Sequence, residues 1–278
     1  MTMEKLTIKN IVKKIEAREH FHAVASDYSF TIKVEKYVPF ICGAIHDGHH
    51  FKRDLWEYCT HSEYERWYEE DPETKHMVSN CPIVISGLDS RFEYDLNRSP
   101  EEAIYKDAWG KPLWKKPLLK SLRDRALNKH KNFYKVLHHL VATIESIYGH
   151  AIVYDLHSFN IKRWDRDIPT WNLGTSNVDE SRFKKVINGW RHMLTEIKLS
   201  KHIPSTAGIN DTFQGNGYFL KYITANFKNT LVLATEIGKV YCDEIKEIIY
   251  PEIVTNVREQ LGLKIKQHAS QFYNTYSK

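Results

Sequence analysis

The chain alternates between short apolar runs and longer stretches in which apolar residues recur at helical spacing. Largely uninterrupted apolar runs are typical of strands that are buried on both faces of a mainly parallel sheet. Four such runs are present, at residues 38–45, 81–86, 151–156 and 230–235. Two further short strands are expected on either side of a turn, at residues 21–26 and 30–34.

Between the strands, helical periodicity predicts amphipathic helices over residues 6–18, 121–148 and 179–199. Gly149 is expected to end the second helix, because glycine commonly terminates helices. From residue 245 onward the pattern predicts one or two closing helices, broken near Gly262. Strands that alternate with long helices predict an α/β fold, with helices on both faces of a mostly parallel or mixed central sheet. A length of 278 residues suits a single domain over residues 1–278.

Four chemically active side chains follow the buried runs. His46, Arg91, His157 and Glu236 each come at or just past the carboxyl end of one run. In open α/β sheets, ligands bind beside the carboxyl ends of parallel strands. We therefore expect these four side chains to project into one crevice, although they are far apart in the sequence.

Composition narrows the class of protein. The hydrophobic fraction of 42% and the charged fraction of 27% are ordinary for a globular chain. No apolar run approaches the roughly 18 residues of a membrane span, and residues 1–14 do not resemble a secretory signal, so a cytoplasmic location is expected. The four cysteines form no Cys-x-x-Cys pair and are expected to be buried thiols. A formal net charge of +5 permits anionic partners without requiring them.

The histidine segments are candidates for a metal site. His46 and His49 lie three residues apart in a glycine-containing loop and could reach one divalent ion, or could be surface histidines before a helix. Asp155 precedes His157 by two residues, so a strand would direct both to one side and let the carboxylate orient the imidazole. The alternative is a buried histidine with no ligand role. The acidic residues 69–71 could supply a carboxylate ligand or form a solvated loop.

The segment 91–98 carries charges at every second position. An extended backbone would direct Arg91, and the acids that follow it, to one side, where a guanidinium binds a carboxylate by paired hydrogen bonds. A surface ladder of salt bridges is the alternative. Glu236 follows an apolar run, where it could accept a proton from a metal-activated water or pair with Lys239 at the sheet edge. The polar loop 210–218 could close over a ligand or be an ordinary connection.

Together these segments resemble the N-formylglutamate amidohydrolase family, and most closely its branch of flavohaemoglobin expression modulators. The resemblance extends from about residue 38 to 244. The matching segments are residues 45–48, 69–72, 90–98, 155–158, 172–175 and 210–218, followed by Glu236. The family is similar to zinc carboxypeptidases and to aspartoacylase, which implies a zinc-carboxypeptidase-like α/β fold with Zn²⁺ at the strand ends.

The resemblance also implies a set of metal ligands. His46 and His157 correspond to zinc ligands of the family. His49 stands where the relatives have a glutamate, so the third ligand is His49 or, alternatively, Glu70 or Asp71.

The remaining site residues follow from the same resemblance. Glu236 corresponds to the catalytic base, and Arg91 is expected to stabilise the developing oxyanion. Asn97 and Arg98 correspond to residues that hold a substrate carboxylate. Asn210 and Gln214, in the polar loop, are the further candidates for substrate binding.

The function expected from these residues is zinc-dependent hydrolysis of an amide bond in an N-formyl or N-acyl amino acid such as N-formylglutamate. The expected partner is thus a small amide that bears a carboxylate. No membrane partner is expected. The family often has Pro-His-Ser-Gly where this chain has Ile45-His46-Asp47-Gly48, so the chemistry is better supported than the substrate. One alternative is a catalytically degenerate binding protein. Another is a nucleic-acid-binding module built on 16 tyrosines and 7 tryptophans, although acids are interleaved with the basic residues.

Overall fold

A computed structural model describes residues 2–276 of the chain. It contains a nine-stranded mixed sheet and two small two-stranded sheets. The strands are β1 (Glu4–Leu6), β2 (Phe21–Ala25), β3 (Phe30–Val34), β4 (Phe40–Ala44), β5 (Ile83–Gly87), β6 (Asp107–Ala108), β7 (Lys111–Pro112), β8 (Ala151–Phe159), β9 (Trp171–Gly174), β10 (Ala207–Ile209), β11 (Thr230–Gly238), β12 (Cys242–Asp243) and β13 (Ile248–Ile249).

Seven α-helices accompany these strands in the described part of the chain. They are α1 (Ile8–Glu16), α2 (Glu63–Glu69), α3 (Thr74–Met77), α4 (Lys120–Tyr148), α5 (Glu180–Thr195), α6 (Tyr218–Asn226) and α7 (Pro251–Tyr276). Helices α1, α4 and α6 contribute to the apolar core on one face of the sheet. Helices α3, α5 and α7 contribute to the core on the other face, so the expected α/β layering is confirmed.

The order of strands in the large sheet is β1-β2-β3-β5-β4-β8-β11-β9-β10. Its centre consists of β5, β4, β8 and β11, which are the four buried runs of the sequence, and neighbours among them pair in parallel. On one side β3 pairs antiparallel with β5 and with β2, and on the other side β9 pairs antiparallel with β11. The carboxyl ends of the four central strands therefore meet at one edge of the sheet.

Two sequence-based expectations about elements are wrong. Strands β8 and β11 have nine residues each and run beyond their apolar cores, so His157 and Glu236 lie within the strands rather than past their ends. Helix α7 continues through Gly262 without a break. A buried stripe that includes Val257, Leu261 and Ile265 holds this helix against the sheet, and packing there outweighs the weak helix propensity of one glycine.

None of the helices between residues 2 and 276 combines the length and apolar character needed to cross a bilayer.

Candidate active site

Three buried side chains meet at the carboxyl edge of the central strands. His46, Asp71 and His157 each offer a ligand atom, and these atoms all lie within 4.8 Å of one another. Asp71 Oδ2 is 2.9 Å from His157 Nδ1 and 3.6 Å from His46 Nδ1. The two imidazole rings lie 4.8 Å apart between centroids. These three side chains could hold one metal ion.

Local structure brings Asp71 to the histidines. His46 lies two residues after β4, and His157 lies on the neighbouring strand β8. Asp71 follows helix α2, and its backbone N–H donates to the His46 carbonyl over 3.0 Å. Its Oδ1 accepts a hydrogen bond from the Ser158 hydroxyl, 3.3 Å away. The carboxylate is thus fixed by its backbone and by its side chain.

A second layer of carboxylates orients both imidazoles. His46 Nε2 donates to Asp95 Oδ1 over 2.6 Å, and His157 Nε2 donates to Asp155 Oδ2 over 3.0 Å. The Asp155–His157 pairing is the one expected from their spacing on a strand. Carboxylates that bind the outer nitrogen of a histidine in this way fix its orientation toward a metal. Both Nδ1 atoms are left facing Asp71.

The electrostatics of this cluster reflect tightly packed opposite charges. Burial by itself would lower the pKa of His157, but the Asp155 and Asp71 carboxylates raise that pKa well above its ordinary value. Burial would likewise raise the pKa of Asp95, but the Arg91 guanidinium and His46 hold it well below its usual range. Within residues 2–276, the buried Nδ1 of His46 has no hydrogen-bond partner, although buried polar atoms are normally paired.

The structure places His49 and Glu70 apart from this group. His49 Nδ1 is 2.5 Å from Glu70 Oε2, and the other Glu70 oxygen accepts a hydrogen bond from the Ser90 hydroxyl. The chain is not helical between His46 and His49, so residues three apart do not share a face there. The carboxylate that approaches His46 and His157 is therefore that of Asp71, the last of the three alternatives named from the sequence.

Arg91 is held beside the cluster by Asp95 and by Tyr105. Its guanidinium donates to Asp95 Oδ2 over 2.8 Å and to the Tyr105 hydroxyl over 3.1 Å, and the Tyr105 hydroxyl itself donates to Asp95. The side chain of Arg91 is 16% exposed. Asp95 thus links Arg91 to His46. Tyr105 was not found from the sequence, because it lies in an irregular segment with no periodic pattern.

Glu236 lies directly opposite His157 in the register of β8 and β11. Burial raises the pKa of Glu236 to about 7, with a smaller opposing effect from His157. The alternative pairing with Lys239 is not formed, because the Lys239 ammonium donates to the Tyr68 carbonyl instead. Glu236 makes no ion pair with any residue from 2 to 276, and it lines the cavity described next.

A cavity of about 1030 Å³ opens over the cluster. Its walls include His46, Asp71, His157, Arg91 and Glu236, which confirms that the topology gathers these residues in one crevice. Its outer walls come from the segments 97–109 and 212–221.

The four proposed substrate-binding residues differ in position. Asn97, Arg98 and Gln214 line the cavity. Asn97 Oδ1 accepts the backbone N–H of Phe219, whereas the Arg98 side chain is exposed to solvent. Asn210 is not part of the cavity wall among the described residues.

The side chain of Asn210 supports the loop instead. Its Oδ1 accepts the Thr175 backbone N–H over 2.9 Å, and its Nδ2 donates to the Thr175 hydroxyl over 2.7 Å. Its carbonyl accepts a hydrogen bond from Gln214 over 2.7 Å. Asn210 therefore stabilises the loop that forms part of the cavity wall and does not line the cavity itself.

The chain matches the model of a known protein family, and its fold is similar to those of solved structures. A family model described as N-formylglutamate amidohydrolase matches residues 38–239. The structure of N-formylglutamate amidohydrolase from Ralstonia eutropha JMP134 is similar with a TM-score of 0.69 at 16% identity, over 87% of this chain and 98% of that one. A gene product from Agrobacterium tumefaciens is similar with a TM-score of 0.65 at 13% identity, over 86% of this chain and 95% of that one.

A metallo-carboxypeptidase from Burkholderia cenocepacia is a more distant match, with a TM-score of 0.37 at 14% identity over 87% of this chain and 61% of that one. No curated protein matches the chain. The range matched by the family model contains the whole His46, Asp71 and His157 cluster together with Arg91 and Glu236.

Proposed function

The chain belongs to the N-formylglutamate amidohydrolase family and is an amidohydrolase of that family, and we propose that it uses zinc to hydrolyse the amide bond of an N-formyl or N-acyl amino acid such as N-formylglutamate. The observation that carries the proposal is the buried cluster of His46, Asp71 and His157 at the floor of a large cavity. The alternative of a catalytically degenerate binding protein does not account for three potential metal ligands together with the carboxylates that orient the two histidines.

The donor set fits zinc. Two imidazole nitrogens and one carboxylate oxygen are the ligands that catalytic zinc sites use, with a further position left for water or substrate. The buried Nδ1 of His46, which has no hydrogen-bond partner among residues 2–276, is the kind of atom that an ion would satisfy. When bound, a divalent ion would supply a Lewis acid that polarises the amide carbonyl and makes water more acidic.

Glu236 is proposed as the general base. Its carboxyl lines the same cavity as the cluster, opposite His157, and burial raises its pKa to about 7, which suits proton transfer near neutral pH. In its ionised form Glu236 would accept a proton from the attacking water. It would then pass that proton to the leaving nitrogen, so that the amine departs neutral.

Arg91 is proposed to stabilise the oxyanion as the carbonyl becomes tetrahedral. Its guanidinium is fixed by Asp95 and Tyr105, so it is already oriented before the reaction. Asn97 and Arg98, farther along the same segment, are proposed to hold the carboxylate of the substrate. Gln214 would contact the substrate from the opposite loop, whose shape Asn210 maintains.

A cytoplasmic location is proposed as well. The four cysteines are free and buried, which suits a reducing compartment.

Hydrolysis of N-formyl-L-glutamate by purified protein tests this proposal. We expect zinc-loaded protein to release formate and glutamate, and chelation of the metal to abolish the reaction. Glu236→Gln should keep its metal and lose about 10²- to 10⁴-fold in kcat, the usual contribution of a general base.

Glu252→Gln, an exposed glutamate on α7, is the matched control and should retain full activity. If zinc-loaded wild type hydrolyses neither N-formyl nor N-acyl amino acids, the proposed reaction is wrong. If Glu236→Gln is as active as wild type, the base has been misassigned.

A further inference from the structure

The cavity is larger than a formylated amino acid requires. Pockets of about 300–1000 Å³ are typical of drug-sized ligands. The cavity over the cluster, at about 1030 Å³, slightly exceeds the upper limit of that range. A formyl group is the smallest acyl group, so N-formylglutamate would leave much of this space to water.

One wall of the unused space is an exposed tryptophan. Trp109 lines the cavity and remains 42% exposed. It lies in the two-residue turn that joins β6 to β7, a hairpin whose residues 107–109 line the cavity. An indole exposed in this way inside a catalytic cavity is available to contact a ligand.

The backbone at this turn is unfavourable for tryptophan. Both turn residues have positive φ, 46° at Trp109 and 86° at Gly110. A turn of this kind favours asparagine, aspartate or glycine at its first position, and a bulky residue with positive φ is a genuine outlier. Such outliers cluster at functional sites. Local structure alone therefore does not explain a tryptophan at residue 109.

The indole is fixed close to the reacting groups. Its ring lies 5.2 Å from the ring of Phe92 and 5.7 Å from that of Tyr105, measured between centroids. The central guanidinium carbon of Arg91 lies 5.3 Å from the indole centroid. Phe92 and Tyr105 pack against the ring and the Arg91 guanidinium lies over it, and the exposed part of the indole lines the cavity.

The position of Trp109 relative to Arg91 identifies the part of the substrate that it meets. In the proposed reaction Arg91 contacts the carbonyl oxygen, and the acyl substituent is bonded directly to that carbonyl carbon. The carboxylate on the amine side is assigned to Asn97 and Arg98, which are farther along the segment. The acyl substituent is thus the group within reach of the indole.

We propose that Trp109 forms the wall of an acyl-binding subsite, and that the preferred substrates are N-acyl amino acids with an aromatic or similarly bulky planar acyl group rather than a formyl group. This inference rests on the proposed amide hydrolysis. Water would cleave the same C–N bond, so the products would be the carboxylate that carries the aromatic group, such as phenylacetate, and the free amino acid. The indole would stack on the acyl group in an offset or edge-on geometry.

A comparison of two substrates tests the subsite. The measured quantity is the ratio of kcat/KM for N-phenylacetyl-L-glutamate to kcat/KM for N-formyl-L-glutamate, in wild type and in Trp109→Asn. We expect the ratio to exceed one in wild type and to fall about tenfold in the variant, the effect of one aromatic contact. Asparagine is favoured at this position of the turn, which offsets part of the packing lost with the indole, and the Tm of the variant checks that it folds.

Trp56→Asn is the matched control, because Trp56 is 53% exposed and is not part of the cavity wall among the described residues. It should leave the ratio unchanged. A wild-type ratio below one, or a ratio that is the same in Trp109→Asn, overturns the inference. Equal losses on both substrates, together with a lower Tm, would assign Trp109 a packing role only and would also overturn it.

A binding measurement separates this inference from the proposed reaction. Calorimetry with Glu236→Gln protein should show N-phenylacetyl-L-glutamate binding more tightly than N-formyl-L-glutamate, and the difference should disappear when Trp109→Asn is added. If this difference is present but wild type hydrolyses neither compound, the reaction is wrong and the subsite stands. If hydrolysis occurs without the difference in binding, the subsite is wrong and the reaction stands.

Discussion

Replacing Asp155 by asparagine should weaken metal binding without removing any ligand. Asp155 is fully buried, and its Oδ2 accepts the Nε2–H of His157 over 3.0 Å. Asparagine has the same size and still offers an oxygen to this nitrogen. The variant thus removes the negative charge while it keeps the hydrogen bond.

The expected loss of metal affinity follows from the contact between Asp155 and His157. Loss of an orienting partner of a ligating histidine typically costs 10- to 100-fold in metal affinity. That range corresponds to about 1.4–2.8 kcal/mol, close to the value of one hydrogen bond to a charged group. Because asparagine retains the hydrogen bond, we expect Asp155→Asn near the lower limit and Asp155→Ala near the upper limit.

Competition with a chromophoric zinc chelator measures the affinities directly. Asp165→Asn serves as the control, because it removes the same charge from an exposed loop. Unchanged zinc affinity in both Asp155 variants would refute the claim that this carboxylate orients a ligand. An equal loss in Asp165→Asn would assign the effect to net charge alone.

Three other predictions address the substrate site and the stability of the fold. Arg91→Ala should lower kcat a few hundredfold while zinc content stays unchanged, since loss of an oxyanion donor costs about 2.7–4 kcal/mol; unchanged kcat would remove Arg91 from the reaction. Gly217→Ala would place a Cβ in steric conflict with the side chain of Asn97, which is proposed to hold the substrate carboxylate, and should raise KM for N-formyl-L-glutamate about tenfold, as steady-state kinetics would show. Burial lowers the pKa of His268 to about 4, so the unfolded chain binds a proton below pH 6.5 that the folded chain excludes. The contribution of His268 to stability should therefore fall by about 3 kcal/mol between pH 6.5 and 4, and urea unfolding should show it as a shallower decline in His268→Gln than in wild type.

The sequence was sufficient to predict the centre of the fold. The four apolar runs became β4, β5, β8 and β11, because strands buried on both faces leave a continuous apolar pattern. The pairing of Asp155 with His157 also followed from the sequence, because a strand places residues two apart on one side. The short strands β9 and β10, beyond β11, were not predicted, since three or four residues carry too little pattern.

The metal cluster was less predictable. Spacing drew attention to His49, which is near His46 in the chain, whereas Asp71 is brought to His46 by a backbone hydrogen bond after helix α2. That contact depends on tertiary packing, and no local pattern reports it. The same holds for Trp109, in a hairpin of two-residue strands, and for Tyr105, in the irregular segment before it, because the rest of the fold sets their position at the cavity.

The zinc content of three proteins tests the central claim most directly. Wild type, Asp71→Asn and His49→Gln would be loaded with zinc, dialysed against metal-free buffer and analysed by mass spectrometry. We expect about one zinc per chain in wild type and in His49→Gln, and little in Asp71→Asn, because a three-ligand site that loses its carboxylate binds weakly. Absence of stoichiometric zinc from the loaded wild type, or full retention by Asp71→Asn with loss from His49→Gln, would contradict the site of His46, Asp71 and His157.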